Sequence, residues 1–285
     1  MANSISLGFS PCPNDTFMFD AMVNNRLSLS DFIFKTTIAD VEELNRLALD
    51  ATLDVTKISM NAYARVADKY EILTAGSALG NNCGPLLVSK KPFSFNEIDN
   101  LKIAIPGKLT TANLLLSIFA PNAKNKTEII FSDIEKEVLN GNFDAGLIIH
   151  ESRFTYHERG LLKIADMGEL WEQHTHCPIP LGCIVIKKSL PDDVKMQINN
   201  LMTSSVQYAF KNPGTSKKFI KDHAQELSDE VTQSHIDLYV NSYSENLGDK
   251  GKTAIRLLLK EGMKHNLIPN VQVSFVDEHV NSVLQ

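Results

Sequence analysis

A histidine ends one of the most apolar stretches of the chain and has the chemistry of a general base. The stretch "DAGLIIH", residues 144–150, predicts a buried strand that ends at His150, and Glu151 follows it directly. The unperturbed pKa of imidazole lies near neutrality, so a histidine in a cleft can accept a proton at physiological pH. The alternative is a structural histidine bonded to the backbone. Glu151 could orient His150, although adjacent strand residues face opposite ways.

The segment "PGKLTTANLLL" has the pattern of an anion-binding helix start. A strand ends at Pro106-Gly107, and Thr110 and Thr111 then open a helix. Amide groups at a helix N-terminus are unpaired and carry partial positive charge, so they attract a carboxylate or a phosphate. The two hydroxyls add donors. Simple N-capping by a threonine is the alternative, and it explains only one of the pair.

The segment "VTKISM" places a lysine at the end of a predicted strand over residues 55–60. Lys57 and Ser59 point to the same face by period-two alternation, with Ile58 between them. Lys57 is therefore a candidate partner for an anion. An exposed lysine at a strand end is the alternative.

The opening "SPCPNDTFMF" runs from a short strand into a helix expected over residues 15–24. The two prolines fix the loop, and Asn14 or Asp15 is expected to cap the helix. We also expect Ser10 and Asn14 to present polar groups to a ligand. The loop would then be both a turn and a wall of the site.

Arg153 lies close to His150 in the sequence. Its guanidinium could bind a carboxylate through two parallel hydrogen bonds, or it could make a surface salt bridge. The sequence leaves both roles open.

One segment, "EQHTHCPIPLGC", has metal-ligand chemistry. A structural zinc ion needs four well-spaced ligands. Here His174, His176 and Cys177 crowd one short loop, and Cys183 falls in a predicted buried strand. We therefore predict no metal site and expect this loop to border the cleft.

Strands and helices alternate in two series, which predicts βαβ units and an α/β fold. After residue 192 the chain is mostly helical. The first series has strands over residues 5–9, 31–40, 55–60 and 84–91, and the second has strands over 101–107, 127–132, 144–150 and 180–190.

Two series imply two lobes. We expect the first lobe to comprise residues 1–91 and 187–285 and the second to comprise 92–186, with Lys90–Lys91 and Lys187–Lys188 beside two hinge strands. This is the layout of a type 2 periplasmic-binding-protein-like fold. Ligands in such folds bind in the cleft between the lobes, at the carboxyl ends of the strands.

Composition excludes several classes of protein. The net charge of −6 and the absence of a Lys/Arg-rich run argue against nucleic-acid binding. No apolar run reaches transmembrane length, and the first residues lack the basic and apolar regions of a secretory signal. The four cysteines show no C-x-x-C spacing. We expect a cytoplasmic protein with reduced thiols, and the sequence leaves monomer and homodimer both open.

Taken together, these motifs resemble the 1,4-dihydroxy-6-naphthoate synthase family of the futalosine route to menaquinone. The resemblance covers essentially the whole chain. It rests on "LGFSPCPNDTFMFDA", "DVTKISMNAYA", "GPLLVSKK", "GKLTTANLLL", "GLIIHESRFTY" and "PLGCIVIKKSL".

The resemblance implies a reaction. Cyclic dehypoxanthinyl futalosine, a small anionic aromatic substrate, would be cleaved to 1,4-dihydroxy-6-naphthoate and dihydroxyacetone by a carbon–carbon lyase without a cofactor. The family's catalytic base corresponds to His150. Its ligand-contacting residues correspond to Lys57–Ser59 and to Thr110 and Thr111.

Two other functions fit the same fold. One is a non-catalytic solute-binding protein, which would normally be exported and would not need a histidine at the cleft. The other is chorismate dehydratase of the same pathway, whose motifs look less similar. A regulatory effector-binding domain is disfavoured because no helix-turn-helix pattern is evident.

Overall fold

A computed structural model describes residues 3–28, 32–224 and 228–278. These residues form two β-sheets surrounded by helices, which confirms the predicted α/β class. The predicted strand start at Asp31 lies outside the described residues. The strands are β1 (Asn3–Phe9), β2 (Phe32–Ile38), β3 (Val55–Ser59), β4 (Tyr70–Ile72), β5 (Ala78–Gly80), β6 (Leu86–Ser89), β7 (Ile103–Ile105), β8 (Lys126–Glu128), β9 (Ala145–Ile148), β10 (Leu162–Asp166) and β11 (Ile179–Lys187).

Helices follow most strands, and five α-helices within the described residues follow the last strand. Short 3₁₀ helices cover Phe95–Asn100 and Phe131–Asp133. The α-helices are α1 (Pro13–Val23), α2 (Val41–Leu49), α3 (Met60–Val66), α4 (Thr111–Phe119), α5 (Ile134–Leu139), α6 (Ser152–Thr155), α7 (Met167–Thr175), α8 (Asp192–Lys211), α9 (Lys217–His223), α10 (Asp229–Tyr239), α11 (Ser242–Glu245) and α12 (Gly248–Lys264).

The first sheet has the order β2-β1-β3-β11-β4, and β5 also pairs with β11. β1 is parallel to both β2 and β3, so β1 and β3 end at the same edge of the sheet. β11 is antiparallel to its neighbours. The side chains that follow β1 and β3 are therefore brought together, as parallel pairing requires.

The second sheet has the order β10-β6-β9-β7-β8. β7 is parallel to β8 and β9, whereas β6 is antiparallel to β9 and β10. Each sheet thus combines a parallel βαβ unit with antiparallel strands. The alternation of strands and helices predicted parallel βαβ units. Such units make up only part of each sheet.

The pairing of β6 and β11 differs from the predicted division of the chain. β6 lies in the second sheet, where Leu86 is opposite Ile148, and β11 lies in the first, where Ile184 is opposite Lys57. The chain therefore passes between the sheets over residues 81–85 and returns between α7 and β11. Lys187 therefore lies within the first sheet, at the far end of β11 from this crossing, and its Nζ is 3.0 Å from Asp54.

The apolar core is continuous between the two lobes. One buried cluster contains Ile58 and Cys183 of the first sheet together with Leu115 and Leu147 of the second lobe. Trp171 on α7 is fully buried in the same cluster. The two lobes thus share packing as well as a cleft, which limits how independently they can move.

The C-terminal helices pack mainly on the first lobe. α8, α9 and α10 contact α1, while α12 contacts β11 and α3. A late segment adds to this lobe: the amide of Ile72 donates to the carbonyl of Ser274, and the amide of Val276 donates to the carbonyl of Ile72. No helix within the described ranges is long and apolar enough to cross a membrane.

Gly84, on the segment that enters the second sheet, lies against Gly168 at the start of α7. A Cβ on Gly84 would lie 2.1 Å from the amide nitrogen of Gly168. We expect Gly84→Ala to lower the free energy of unfolding by about 1–3 kcal/mol, because backbone must move to relieve the clash.

The matched control is Gly214→Ala, since an added Cβ there meets nothing within 4 Å. We expect that change to be neutral or slightly stabilising. Urea denaturation of both variants measures the difference. Equal midpoints would show that the close approach of Gly84 and Gly168 does not constrain the fold.

Candidate active site

A cleft of about 670 Å³, counted with its open mouth, lies where the two lobes meet. It takes residues from the β1–α1 connection, the end of β3, the start of α4, the end of β9, β11 and α10. Eight of the nine predicted site residues line it: Ser10, Asn14, Lys57, Ile58, Ser59, Thr110, Thr111 and His150. The edge of the sheets expected from parallel pairing is thus where the cleft forms.

His150 enters the cleft from the second lobe, two residues beyond the end of β9. Its backbone φ is +57°, in the left-handed region that few non-glycine residues adopt. The imidazole packs edge-on against Phe131, with ring centroids 5.2 Å apart. On another side it lies parallel to His235 of the first lobe, at 6.2 Å and an interplanar angle of 9°. The strained turn therefore places the imidazole where the lobes meet.

The ring nitrogens of His150 have no hydrogen-bond partner among the residues that the structure describes. In particular, Glu151 is buried but makes no hydrogen bond to His150 within those residues. The orienting contacts of His150 are thus aromatic, from Phe131 and His235. The idea that Glu151 orients the imidazole has no support in these contacts.

Thr110 and Thr111 have different roles at the start of α4. Thr110 is the N-cap: its hydroxyl accepts from the amide of Asn113 at 3.2 Å and donates to the carbonyl of Gly107. The Thr111 hydroxyl accepts from the amide of Met60 at 2.9 Å and donates to the carbonyl of Leu181. Thr111 thus joins α4 to the first lobe.

The backbone of α4 keeps free donors beside these hydroxyls. The amides of Thr111 and Ala112 donate to no acceptor in the described part of the chain, and both residues line the cleft. Amides in the first turn of a helix have no intrahelical partner and carry partial positive charge. The start of α4 can therefore accept an anionic group from the cleft.

Lys57 is a buried partner of Asp15. It is only 5% exposed, and its Nζ lies 2.8 Å from Oδ1 of Asp15. The other oxygen of Asp15 accepts from the amide and the hydroxyl of Ser10, and Oδ1 also accepts from Asn14. The surface-lysine alternative is thus wrong, and the positive charge of Lys57 already has a protein partner.

The expected cap of α1 is also wrong. The N-cap is Cys12, whose side chain makes no capping bond, and Pro13 occupies the first helical turn. Proline is well suited to that position because its missing amide proton would be unpaired there anyway. The carboxylate of Asp15 instead turns back to Ser10 and Lys57.

Arg153 does not line the cleft. Its guanidinium donates to Asp166 at 2.7 Å and to the carbonyls of Asn82 and Gly84. These bonds hold the segment that enters the second sheet against β10 and α7. The guanidinium is therefore used within the protein, and we leave Arg153 out of the binding set proposed below.

His235 and Tyr239 of α10 were missed by the sequence analysis. His235 is fully buried and its Nε2 donates to Oδ1 of Asn14 at 3.0 Å, and Tyr239 lines the cleft. The signal available was their position with Ile236 on one buried face of a helix. That signal indicates burial. It does not indicate proximity to a cleft whose other residues come from segments between Ser10 and Gly182.

The cysteines near the cleft are poor nucleophiles. Burial raises the pKa of Cys83 and of Cys183 to about 12. Burial, with the charge of Glu151 adding to it, raises the pKa of Cys12 well above its usual range. All three side chains are therefore neutral thiols near neutral pH, and nucleophilic attack needs a thiolate.

The segment with His174, His176 and Cys177 ends α7. His176 is the left-handed C-cap residue of that helix, with φ of +55°, and Cys183 lies fully buried in β11. Across residues 3–28, 32–224 and 228–278, no group of three or more His, Cys, Asp or Glu side chains is arranged to hold a metal ion.

Sequence comparison identifies relatives along nearly the full chain. Residues 5–264 match the family model described as "Menaquinone biosynthesis". The chain is 41% identical to the 1,4-dihydroxy-6-naphthoate synthase of Thermus thermophilus, with 93% of this chain and 96% of the relative covered. The corresponding enzyme of Streptomyces coelicolor is 37% identical, with 94% and 96% covered.

Structural comparison identifies solved proteins with a similar fold. Protein AF1704 from Archaeoglobus fulgidus superposes with a TM-score of 0.88 at 34% identity, covering 93% of this chain and 98% of that one. The aliphatic sulphonate binding protein SsuA of Escherichia coli superposes with a TM-score of 0.64 at 11% identity, covering 95% and 90%. The latter likeness shows the periplasmic-binding-protein-like fold alone. By sequence, this chain belongs to the menaquinone biosynthesis family, which is the family indicated by its motifs.

Proposed function

We propose that this protein cleaves cyclic dehypoxanthinyl futalosine to 1,4-dihydroxy-6-naphthoate and dihydroxyacetone, with His150 as the general base. The observation that carries the proposal is the pairing of two features in one cleft. Within the part of the chain that the structure describes, the ring nitrogens of His150 and the first amides of α4 have no hydrogen-bond partner. The named relatives support a synthase of this product.

The substrate's aromatic carboxylate would bind at the start of α4. The amides of Thr111 and Ala112 suit this group because hydrogen bonds to a charged acceptor are stronger than neutral ones. Lys57 supplies positive potential nearby, although Asp15 offsets its charge. The carboxylate would thus fix one end of the substrate on α4.

His150 would remove a proton from the bound substrate. Among the titratable side chains that line the cleft, Lys57 and Asp15 are paired with each other, and burial raises the pKa values of Cys83 and Tyr239. Among these lining residues, His150 has the side chain chemistry of a general base. Aromatisation of the second ring then supplies driving force as the three-carbon fragment leaves. We propose a carbon–carbon lyase reaction that needs no cofactor.

The rival with the same fold is a solute-binding protein without catalysis, since fold alone does not distinguish binding from turnover. The conformation of His150 supports an enzyme. Its backbone is strained and its ring has no hydrogen-bond partner in the described chain, and a site that only binds a ligand would gain nothing from such a residue. Chorismate dehydratase is the other rival. The substrate consumed by the purified protein separates all three.

Replacing His150 with alanine tests the proposed base. We expect kcat to fall about 10²–10⁴-fold, because general bases contribute on that order, while the fold is retained. Naphthoate absorbance after addition of cyclic dehypoxanthinyl futalosine measures the rate. His157→Ala is the control, since His157 is exposed and does not line the cleft.

Two outcomes would contradict this proposal, one its function and the other its assignment of the base. Binding of the futalosine derivative by the wild-type protein without turnover would favour the solute-binding rival. Full activity of His150→Ala would leave turnover intact but remove His150 from the role of base.

The role of α4 is testable from the ligand side. We expect 2-naphthoate to bind roughly 10–100-fold more tightly than 2-naphthamide, since hydrogen bonds to a charged group are worth about 1.5–3 kcal/mol. Isothermal titration calorimetry measures both affinities on unaltered protein. Equal affinities would mean that the carboxylate is not held by the amides of α4.

A further inference from the structure

The proposed reaction leaves one buried ionisable group unexplained. His235 on α10 is fully buried, and its ring lies parallel to that of His150 with centroids 6.2 Å apart. The two histidines come from different lobes. Phe154 and Tyr239 also pack on the His235 ring, at 6.4 and 4.7 Å. A polar ring in such surroundings costs free energy unless it is hydrogen-bonded.

The hydrogen bonds around His235 have only one consistent direction. Asp15 is paired with Lys57 and accepts at Oδ1 from Nδ2 of Asn14, at 2.9 Å. The Asn14 amide is thereby oriented with its oxygen toward His235, 3.0 Å from Nε2. Because that oxygen can only accept, Nε2 of His235 must carry the proton.

The surroundings of the His235 ring also favour its neutral form. An imidazolium would also need an acceptor for Nδ1–H, and Nδ1 is buried with no partner among the described residues. Burial lowers the pKa of His235 well below its usual range, and nearby His150 adds to the effect. Lys57, Asp15 and Asn14 therefore fix both the orientation and the tautomer of this ring.

We propose that His235 is a positioning residue for His150. This proposal rests on the proposed role of His150 as the base. The fixed, uncharged His235 ring lies parallel to the His150 imidazole, and together with the contact from Phe131 it holds that imidazole in the orientation for proton removal. A neutral neighbour also leaves His150 free to become positively charged.

Replacing His235 with phenylalanine keeps an aromatic ring but removes the bond to Asn14. We expect kcat to fall about 10–100-fold, with KM changed by less than about twofold, because misplacing a catalytic group costs rate without removing a ligand contact. His223→Phe makes the same change outside the cleft, on α9, and should leave kcat unchanged.

The decisive comparison is in the His150→Ala background. If His235 acts only through His150, adding His235→Phe there should lower the residual rate no further. If the double variant instead loses the product of the two single-variant losses in kcat, His235 contributes independently of His150 and the proposal is wrong. An unchanged kcat in the single His235→Phe variant would overturn it as well.

A measurement on the wild-type protein needs neither turnover nor a folded variant. Long-range ¹H–¹⁵N spectra of the imidazoles should show His235 as the neutral Nε2–H tautomer from about pH 8 to about pH 5.5, where ordinary histidines titrate. A His235 that becomes protonated in this range would contradict the proposal. Absence of turnover in the wild type would instead reject the proposed function and leave this spectrum as predicted.

Discussion

The cleft depends on the buried ion pair between Lys57 and Asp15. Both side chains are almost wholly inaccessible to solvent, at 6% and 3% exposure. Removing one partner of such a pair typically costs about 3–5 kcal/mol, because the other charge is left buried and uncompensated. That amount is a large share of the roughly 5–15 kcal/mol by which a native protein is stable.

The pair also organises the polar residues around it. Asp15 holds Ser10 through two hydrogen bonds and orients the amide of Asn14. Asn14 in turn contacts His235, whose ring lies parallel to that of His150. One buried carboxylate thus connects the end of β1, the end of β3 and α10. Asp15 would thus help to orient His150, the proposed base, through Asn14 and His235 and without contacting it.

Contacts between the lobes set the other wall of the cleft. The hydroxyl of Thr111 bonds to Met60 and Leu181, and Asn61 donates to the carbonyls of Lys108 and Thr110. The Glu42 carboxylate accepts from the amide of Leu109. These bonds fix the start of α4 relative to the first lobe. Its free amides can then serve as a preorganised anion site.

Much of this arrangement was predictable because it depends on local pattern. Strands with polar residues at their ends identified Lys57, the Thr110–Thr111 pair and His150, and the alternation of strands and helices predicted the α/β class. Parallel pairing gathers strand ends at one edge whatever the rest of the chain does. The cleft residues at these strand ends therefore followed from periodicity, whereas Tyr239 of α10 did not.

The errors arose where distant segments meet. Lys57 was open to interpretation as exposed because its partner Asp15 lies 42 residues away. Asn14 or Asp15 was expected to cap α1, but the N-cap is Cys12. For Arg153 the sequence left a ligand contact and a salt bridge both open, and the structure shows the salt bridge, to Asp166. The division into lobes differed because β6 and β11 each pair across the expected boundary. Periodicity identifies a strand but not the sheet that it joins.

A crystal structure with 1,4-dihydroxy-6-naphthoate bound tests the central claim most directly. This account predicts a carboxylate oxygen of the ligand within hydrogen-bond distance of the amides of Thr111 and Ala112, with the His150 imidazole facing the dihydroxylated ring. A ligand with its carboxylate turned away from α4, or with its hydroxylated ring out of reach of His150, would contradict the account.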